Sequence, residues 1–425
     1  MRKLKALLPL LALTLSLTGA NAITFTTSFH IPAGNTTWDG DDIVVQGCTL
    51  TVDGPHSFRS LTLNGAVLNH SPAPNGETNN RIQIAVTGDV LVDAVSRVEV
   101  SGRGYLAAGT PGAAPPTADD GGGGGHGGDG GYAYWGLSEP GGVGGFGSVT
   151  EPISFGGSAA GTADQGYVRC PGGGAVQFAV GGTLTLNGQV LANGASSWLN
   201  DQGGGAGGSV WITAGTLAGN GPISANGGNG ESSHGGGGGG GRIALYYGTS
   251  AFSGSLAARG GSGTQWGGAG TIYLKATGEP AGTVRLDNGG VWGALTSFTL
   301  PVTAGLSISN MAQVFATAPL SLTSLHVGAN GTLFHFPTQS LSLTISGKAQ
   351  IDLGATVNGN GCGYPVGTNA GPGAAPFGPD DGGGGGYAGD GGYAWLGSAE
   401  PGGAGGYGSI LTPTDFGSAG AGSTK

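Results

Sequence analysis

Charge is scarce in this 425-residue chain. Only 9% of it is Asp, Glu, Lys or Arg, and 14 basic residues face 24 acidic ones for a net charge of −10. A surface that acidic has little with which to neutralise phosphates, which argues against nucleic acid and anionic membranes as partners. Cysteine is as thin. Cys48, Cys170 and Cys362 are too few and too odd in number for a disulfide framework. One bridge among them stays open, with no pairing legible, and no Cys/His cluster has zinc spacing. A helical hydrophobic period is missing from everything after the N-terminal segment. Catalytic signatures are missing too. There is no G-x-S-x-G elbow, and no glycine run ends in Lys-Ser/Thr ahead of a helix that would cradle phosphate.

Long apolar runs are confined to the N-terminus. Arg2, Lys3 and Lys5 precede an apolar stretch at Leu7–Leu17, and Ala20-Asn21-Ala22 meets the small-residue cleavage rule. Residues 1–22 read as a signal peptide, and the stretch is short for a membrane span. Its removal takes three positive charges, leaving the mature chain more acidic still. No later segment reads as transmembrane, so the expectation is a secreted or cell-surface protein.

What the chain has is glycine, 98 residues of it. The glycines lack the strict every-third spacing of collagen. Hydrophobic residues make up 38% of the chain against that 9% charge, the reverse of a disordered composition. Glycine is therefore expected inside something folded. Short alternating strands separated by glycine run through the chain, beginning with Ile43–Val45, Leu50–Val52 and Leu61–Leu63. A unit ending in apolar-x-apolar, a spacer and glycine then recurs as Val98–Gly102, Val190–Gly194, Ile223–Gly227, Leu256–Gly260, Val284–Gly289 and Ala355–Gly359. A near-constant period of this length marks a repeat architecture whose units bury their apolar faces only against one another. The expected fold class is all-β, a right-handed parallel β-helix with long glycine-rich loop insertions. Its Asn-Gly corners are expected to use the left-handed backbone that Asn and Gly tolerate.

A larger repeat lies over this one. Asp119–Ser148 returns as Asp380–Ser409, identical at 22 of 30 aligned positions. Ser324–His335 echoes Ser60–His70, so His70 and His335 are expected to close equivalent strand ends. This divides the chain into module 1 at 23–290, with its insertion at about 105–174, and module 2 at 291–425. The second copy stops inside its own insertion, so the sequence reads as truncated.

The duplicated stretch supplies the candidate site residues. Tyr132, Tyr134, Trp135 and Phe146, matched by Tyr393, Trp395 and Tyr407, stand at fixed offsets for which a flexible linker has no use. They are candidates for binding sugar rings or another copy of the same surface; the alternative is that they pin the lobe to its scaffold. Asp119, Asp120 and Asp129, with Asp380, Asp381 and Asp390, are candidates for a calcium site because Gly-Gly-Asp-Gly-Gly resembles calcium-binding nonapeptides, although the tandem nonapeptide is absent. Capping of loose backbone N–H groups is the competing role. A catalytic role would favour one site, whereas these acids come as a duplicated set, and His126 becomes Tyr387 in the second copy.

The short strand, the Asn-Gly corner, the glycine-rich arm and the strand at Gly238–Tyr247 (GGGGRIALYY) together resemble those of exported bacterial glycine-rich parallel β-helix proteins of the adhesin-like surface class. The resemblance implies a stalk or adhesin-like role in contact with a matrix, host or neighbouring cells and identifies no ligand; an extracellular polysaccharide, a surface protein or a second copy are the candidate partners, and calcium is the one candidate cofactor. The competing functional readings are a carbohydrate-active lyase or hydrolase and a calcium-stabilised extracellular repeat protein.

Overall fold

The computed structural model describes residues 22–163, 166, 168–336, 340–364, 371–376, 381–394 and 397–421. Of the expected leader only Ala22 falls among them, where it opens the first strand and pairs with Asp42. Among the described residues the chain is nearly all β. Its helical elements are three single 3₁₀ turns, and no helix is long and apolar enough to cross a membrane. The strands form parallel sheets of 15, seven and four strands.

Register follows the repeat. In the largest sheet Ala175–Leu186 pairs with Ser209–Gly219, which pairs with Arg242–Phe252. In the seven-stranded sheet Val98, Val190, Ile223 and Leu256 stand in one row. Successive strand residues point to opposite faces. One face of each sheet therefore carries Val, Ile, Leu and Phe stacked like on like, as in the row Ile84, Phe178, Ile212, Leu245. These residues form one buried core shared by the two larger sheets. Each fully buried Val, Leu or Ile contributes about 1.5–3 kcal/mol of transfer free energy. The row Ile43, Leu61, Val90, Leu184, Leu217 ends at the polar Ser250.

The core then changes face. Among the described residues one pairing is antiparallel, Ile272–Leu274 against Thr283–Arg285. Ile272 belongs to the first core, whereas its neighbour Tyr273 belongs to a second core with Val284, Leu286, Leu306 and Ile308. The second core also takes in Ala244 and Val149, so it packs on the back of strands whose other face lines the first. The sheet itself runs on unbroken from Thr283–Asp287 to Ala304–Ser309, across residue 290.

Corner geometry departs from the sequence expectation. Positive φ occurs at Gly102 and Gly289 (63° and 69°) but not at Gly194, Gly227 or Gly260. Two other constraints select the residues there. Asn193 Oδ1 accepts the N–H of Asn226, and Asn226 Oδ1 accepts that of Arg259, each at 2.8 Å and 33 residues apart, giving an asparagine ladder. Each such bond contributes about 1 kcal/mol. The glycine that follows has a neighbouring backbone carbonyl where Cβ would stand: Gly205 O at Gly194, Gly238 O at Gly227 and Gly267 O at Gly260.

The one bridge that the sequence left open is not formed; Cys48, Cys170 and Cys362 are all free thiols. Burial pushes the Cys170 thiol up to about 12.

Candidate functional site: the glycine lobe and its edge

The long insertion is an ordered lobe built backbone to backbone. It packs with the shorter glycine arms that follow it, and the central segment of the whole lobe is Gly236–Gly241, whose six amides all donate at 2.7–2.9 Å. Residues 236 and 239 donate to the 121–124 segment, 237 and 240 to 265–268, and 238 and 241 to 225–228. Bonding directions that repeat every third residue are those of an extended threefold helix, which makes no internal hydrogen bonds and must find partners in its neighbours. Glycine is required because the neighbours stand where side chains would be. A Cβ on Gly123, Gly130, Gly236, Gly237, Gly238 or Gly239 would lie closer than 3.0 Å to a backbone oxygen. Each of the six amides of Gly236–Gly241 thus gains a partner, as buried backbone must.

Two buried residues tie the lobe to the strands. Arg242, 2% exposed, donates from Nε to Phe146 O at 2.9 Å and from Nη1 to Thr271 Oγ1 at 3.0 Å. Burial lowers its pKa to about 10, so it stays charged at neutral pH. His126 is fully buried, its Nδ1 donating to Gly207 O at 2.8 Å and its ring 4.9 Å from that of Phe146. Burial and the neighbouring Arg242 charge hold its pKa down at about 3. In the second copy Tyr387 and Tyr407 keep the same ring contact at 5.0 Å. The exchange of His126 for Tyr387 therefore preserves packing rather than chemistry. His70 and His335 also match: Nδ1 of each meets the next residue's carbonyl, at 2.7 and 2.9 Å.

The candidate aromatics divide into two groups. Phe146 and Tyr407 are packing residues; the Tyr407 hydroxyl donates to Phe416 O at 2.7 Å. Tyr134, Trp135 and Tyr393 project into solvent, at 56%, 62% and 69% exposure. Tyr132 is half-buried and lines a cleft of about 350 Å³ with Asp129, Leu137, Val143, Gln265 and Trp292. Trp395 and Asp380 lie outside the described residues.

The candidate aspartates also divide. Asp129 Oδ1 accepts the N–H of Gly144, and in the second copy Asp390 Oδ1 accepts that of Gly405, both at 2.6 Å. This is the expected capping role. Asp119 and Asp381 are exposed. Asp120 is 5% exposed and takes part in a different constellation: one ligand atom each from Asp120, Asp201 and His234 lies within 4.8 Å of the others. Glu139, itself buried, accepts the N–H groups of Asp120 and Trp135, both at 3.1 Å. In the second copy Glu400 accepts the N–H of Asp381 at 2.9 Å. Burial, with the Glu139 charge adding to it, raises the Asp120 pKa to about 6. Asp119 and Asp129 are not part of this set, so the structure does not gather the three first-copy aspartates into one site.

Sequence reading missed Asp201, His234 and Arg242. A signal for the first two was present. Asp120, Asp201 and His234 stand at the head of three glycine runs: Gly121–Gly125, Gly203–Gly205 and Gly235–Gly241. Runs that lie side by side bring their heads together. Arg242 gave no such signal, because a single Arg before an apolar strand reads as a surface residue.

Buried acids and histidines oppose each other in pH. Burial raises the Asp129 pKa to about 6, so the folded state holds a proton that the unfolded chain releases near its ordinary value of 3.8. That contribution is present below pH 3.8 and is lost as pH rises through 6. Burial lowers His70 to about 4, with Nε2 accepting the Ala175 N–H at 3.1 Å. Its contribution is present above the ordinary histidine value of about 6.5 and is lost as pH falls toward 4. Asp129→Asn keeps the acceptor for Gly144 without the charge. It is expected to stabilise the protein by about 1–2 kcal/mol at pH 7.5, and the gain should fall to roughly a third of that at pH 4.5. Denaturant midpoints at the two pH values measure this; equal shifts at both would show that the charge is not the cause.

Comparison of the chain with protein-family models, curated proteins and solved structures returns no match.

Proposed function

We propose that this chain is an exported structural and adhesive module, a right-handed parallel β-helix in two modules whose glycine lobe holds an aromatic edge out to an extracellular polysaccharide or to a second copy of itself. Support for the helix comes from the parallel register, with its repeat of 33 residues seen in the bonds Thr216–Thr249 and Asn193–Asn226. Units stacked in this way share one core and make a stiff scaffold. Support for export comes from the leader-like residues 1–22 and the acidic composition.

The observation that carries the adhesive reading is the division of labour in the lobe. Asp129 and Glu139 accept backbone amides, while Leu137, Val143 and Trp292 are exposed at the cleft and Tyr134 and Trp135 are exposed elsewhere on the lobe. Flat aromatic faces beside Gln265 and Asp129 suit stacking against sugar rings, with polar groups to orient them. A carbohydrate-active reading has one observation in its favour: Asp129, its pKa raised to about 6 by burial, lines the cleft as a general acid would. It is the one carboxylate among the described lining residues, and glycoside hydrolysis commonly uses two.

The test is a glycan array together with sedimentation velocity on the mature chain and on a Tyr134→Ala/Trp135→Ala variant. Loss of two stacking rings is expected to weaken polysaccharide binding or self-association by roughly 10- to 100-fold at unchanged melting temperature. Release of reducing sugar ends that stops in Asp129→Asn would instead establish the enzyme. Absence of both binding and association would refute the adhesive role.

A further inference from the structure

The heads of three glycine runs converge on the outer edge of the lobe, and we infer that Asp120, Asp201 and His234 form a binding site for a single divalent transition metal of the zinc class. The runs are held in register by backbone bonds: Gly121 N–H to Asp201 O at 2.6 Å, Gly236 N–H to Gly121 O at 2.9 Å and Gly204 N–H to Gly236 O at 3.0 Å. That register places one donor atom of each of the three residues within 4.8 Å of the other two. Donors drawn in to about 3.5 Å of one another would hold a single ion at 2.0–2.2 Å from each, with water completing a tetrahedral shell.

A second, independent observation points to a ligand. Asp120 is 5% exposed as a residue, and no described residue donates a hydrogen bond to its carboxylate. Its backbone is bonded on both sides, through N–H to Glu139 and through O to Thr117 Oγ1, so the side chain is held on the cluster. An acceptor buried without a donor is costly, and a cation supplies what it lacks. Asp201 is held at φ 58°, a left-handed conformation uncommon for a residue other than glycine, and His234 is fixed by its N–H to Glu231 Oε2 at 2.8 Å. Glu231 Oε2 also lies 3.4 Å from His234 Nδ1. Asp201 Oδ1 lies 3.5 Å from the same nitrogen.

The donor set decides the class of ion. Calcium takes six to eight oxygens, whereas an imidazole with two carboxylates suits zinc and its first-row neighbours. The ion would staple the long insertion to the next two arms, at the point where Tyr134 stacks 5.2 Å from the His234 ring. It would thus hold the exposed aromatic edge in place. The inference does not depend on the adhesive reading, because the ligands and register are independent of what the edge binds.

The experiment is titration of the metal-stripped full chain with Zn²⁺ alone, read by isothermal calorimetry and by melting temperature, with Ca²⁺ as the competing ion. One Zn²⁺ per chain and a raised melting temperature are expected. His234→Ala and Asp120→Asn should each weaken binding by at least about tenfold and remove the thermal shift. Asp119→Asn should behave as wild type. Asp120→Asn removes a buried charge, so the metal-free variant should melt no lower than wild type, which separates loss of the site from loss of the fold. No saturable Zn²⁺ binding, Zn²⁺ binding indifferent to His234→Ala, or a Ca²⁺ response equal to that of Zn²⁺ would each overturn the inference.

Discussion

Gly239→Ala is expected to destabilise the protein by about 3 kcal/mol, while Gly278→Ala changes stability by less than about 0.5 kcal/mol. Both substitutions add one methyl group to a glycine without positive φ, yet their surroundings are opposite. Nothing lies within 4 Å of the Cβ position at Gly278, whereas at Gly239 the nearest atoms are Gly128 O, Gly128 C and Asp129 O. Backbone cannot rotate aside as a flexible side chain can. The segment must shift, and Gly239 then loses both its N–H bond to Gly124 O (2.8 Å) and the bond its carbonyl accepts from Gly207 (2.9 Å). Two buried backbone bonds at about 1 kcal/mol each, plus overpacking of about 1–3 kcal/mol, outweigh the gain of about 0.4–1 kcal/mol from stiffening the unfolded chain. Denaturant midpoints of the two variants decide the matter. Equal and small effects would mean that the lobe yields like a loop.

Arg242 provides the second large effect, and here two substitutions separate two causes. Arg242→Ala should cost about 3 kcal/mol or more. It leaves a cavity beneath the lobe and orphans the Phe146 carbonyl, a buried acceptor whose loss of partner alone costs about 1–3 kcal/mol. Arg242→Met fills most of that volume and removes a buried charge that no carboxylate among the described residues pairs with at salt-bridge distance. Desolvation relief then offsets much of the lost bonding, and a net change within about 1 kcal/mol is expected. In both variants the His126 pKa should rise, because the positive neighbour that helps hold it near 3 is gone. A titration of His126 followed by NMR would show this, and an unmoved value would mean that burial acts alone.

The repeating parts of the molecule were legible and the joining parts were not. Stacked rows such as Val98, Val190, Ile223 and Leu256 announce parallel register directly, because identical apolar residues return at one spacing. Gly-Gly-Asp-Gly-Gly made the duplicated aspartates calcium candidates, and it is the competing capping role that Asp129 on Gly144 and Asp390 on Gly405 realise. The antiparallel turn-back at Thr277–Gly282 escaped notice because alternation has no direction; a strand reads alike whether its partner runs with it or against it. The reason for glycine at residues 194, 227 and 260 was misread for a related cause. Composition shows that glycine is needed, but not whether φ or the approach of another backbone makes it so. The Asp120–Asp201–His234 set is the sharpest case. Its members are 81 and 33 residues apart, and only the register of the glycine runs brings them together.

Amide hydrogen exchange on the full chain tests the central claim, that the glycine-rich insertion is a hydrogen-bonded solid and part of the fold. Peptides covering 121–131 and 236–241 are predicted to exchange as slowly as those covering the core strand Ala175–Leu186, because each central amide is buried and bonded to another arm. Exchange of those glycine peptides at the rate of an unstructured chain, while the strands stay protected, would contradict the account.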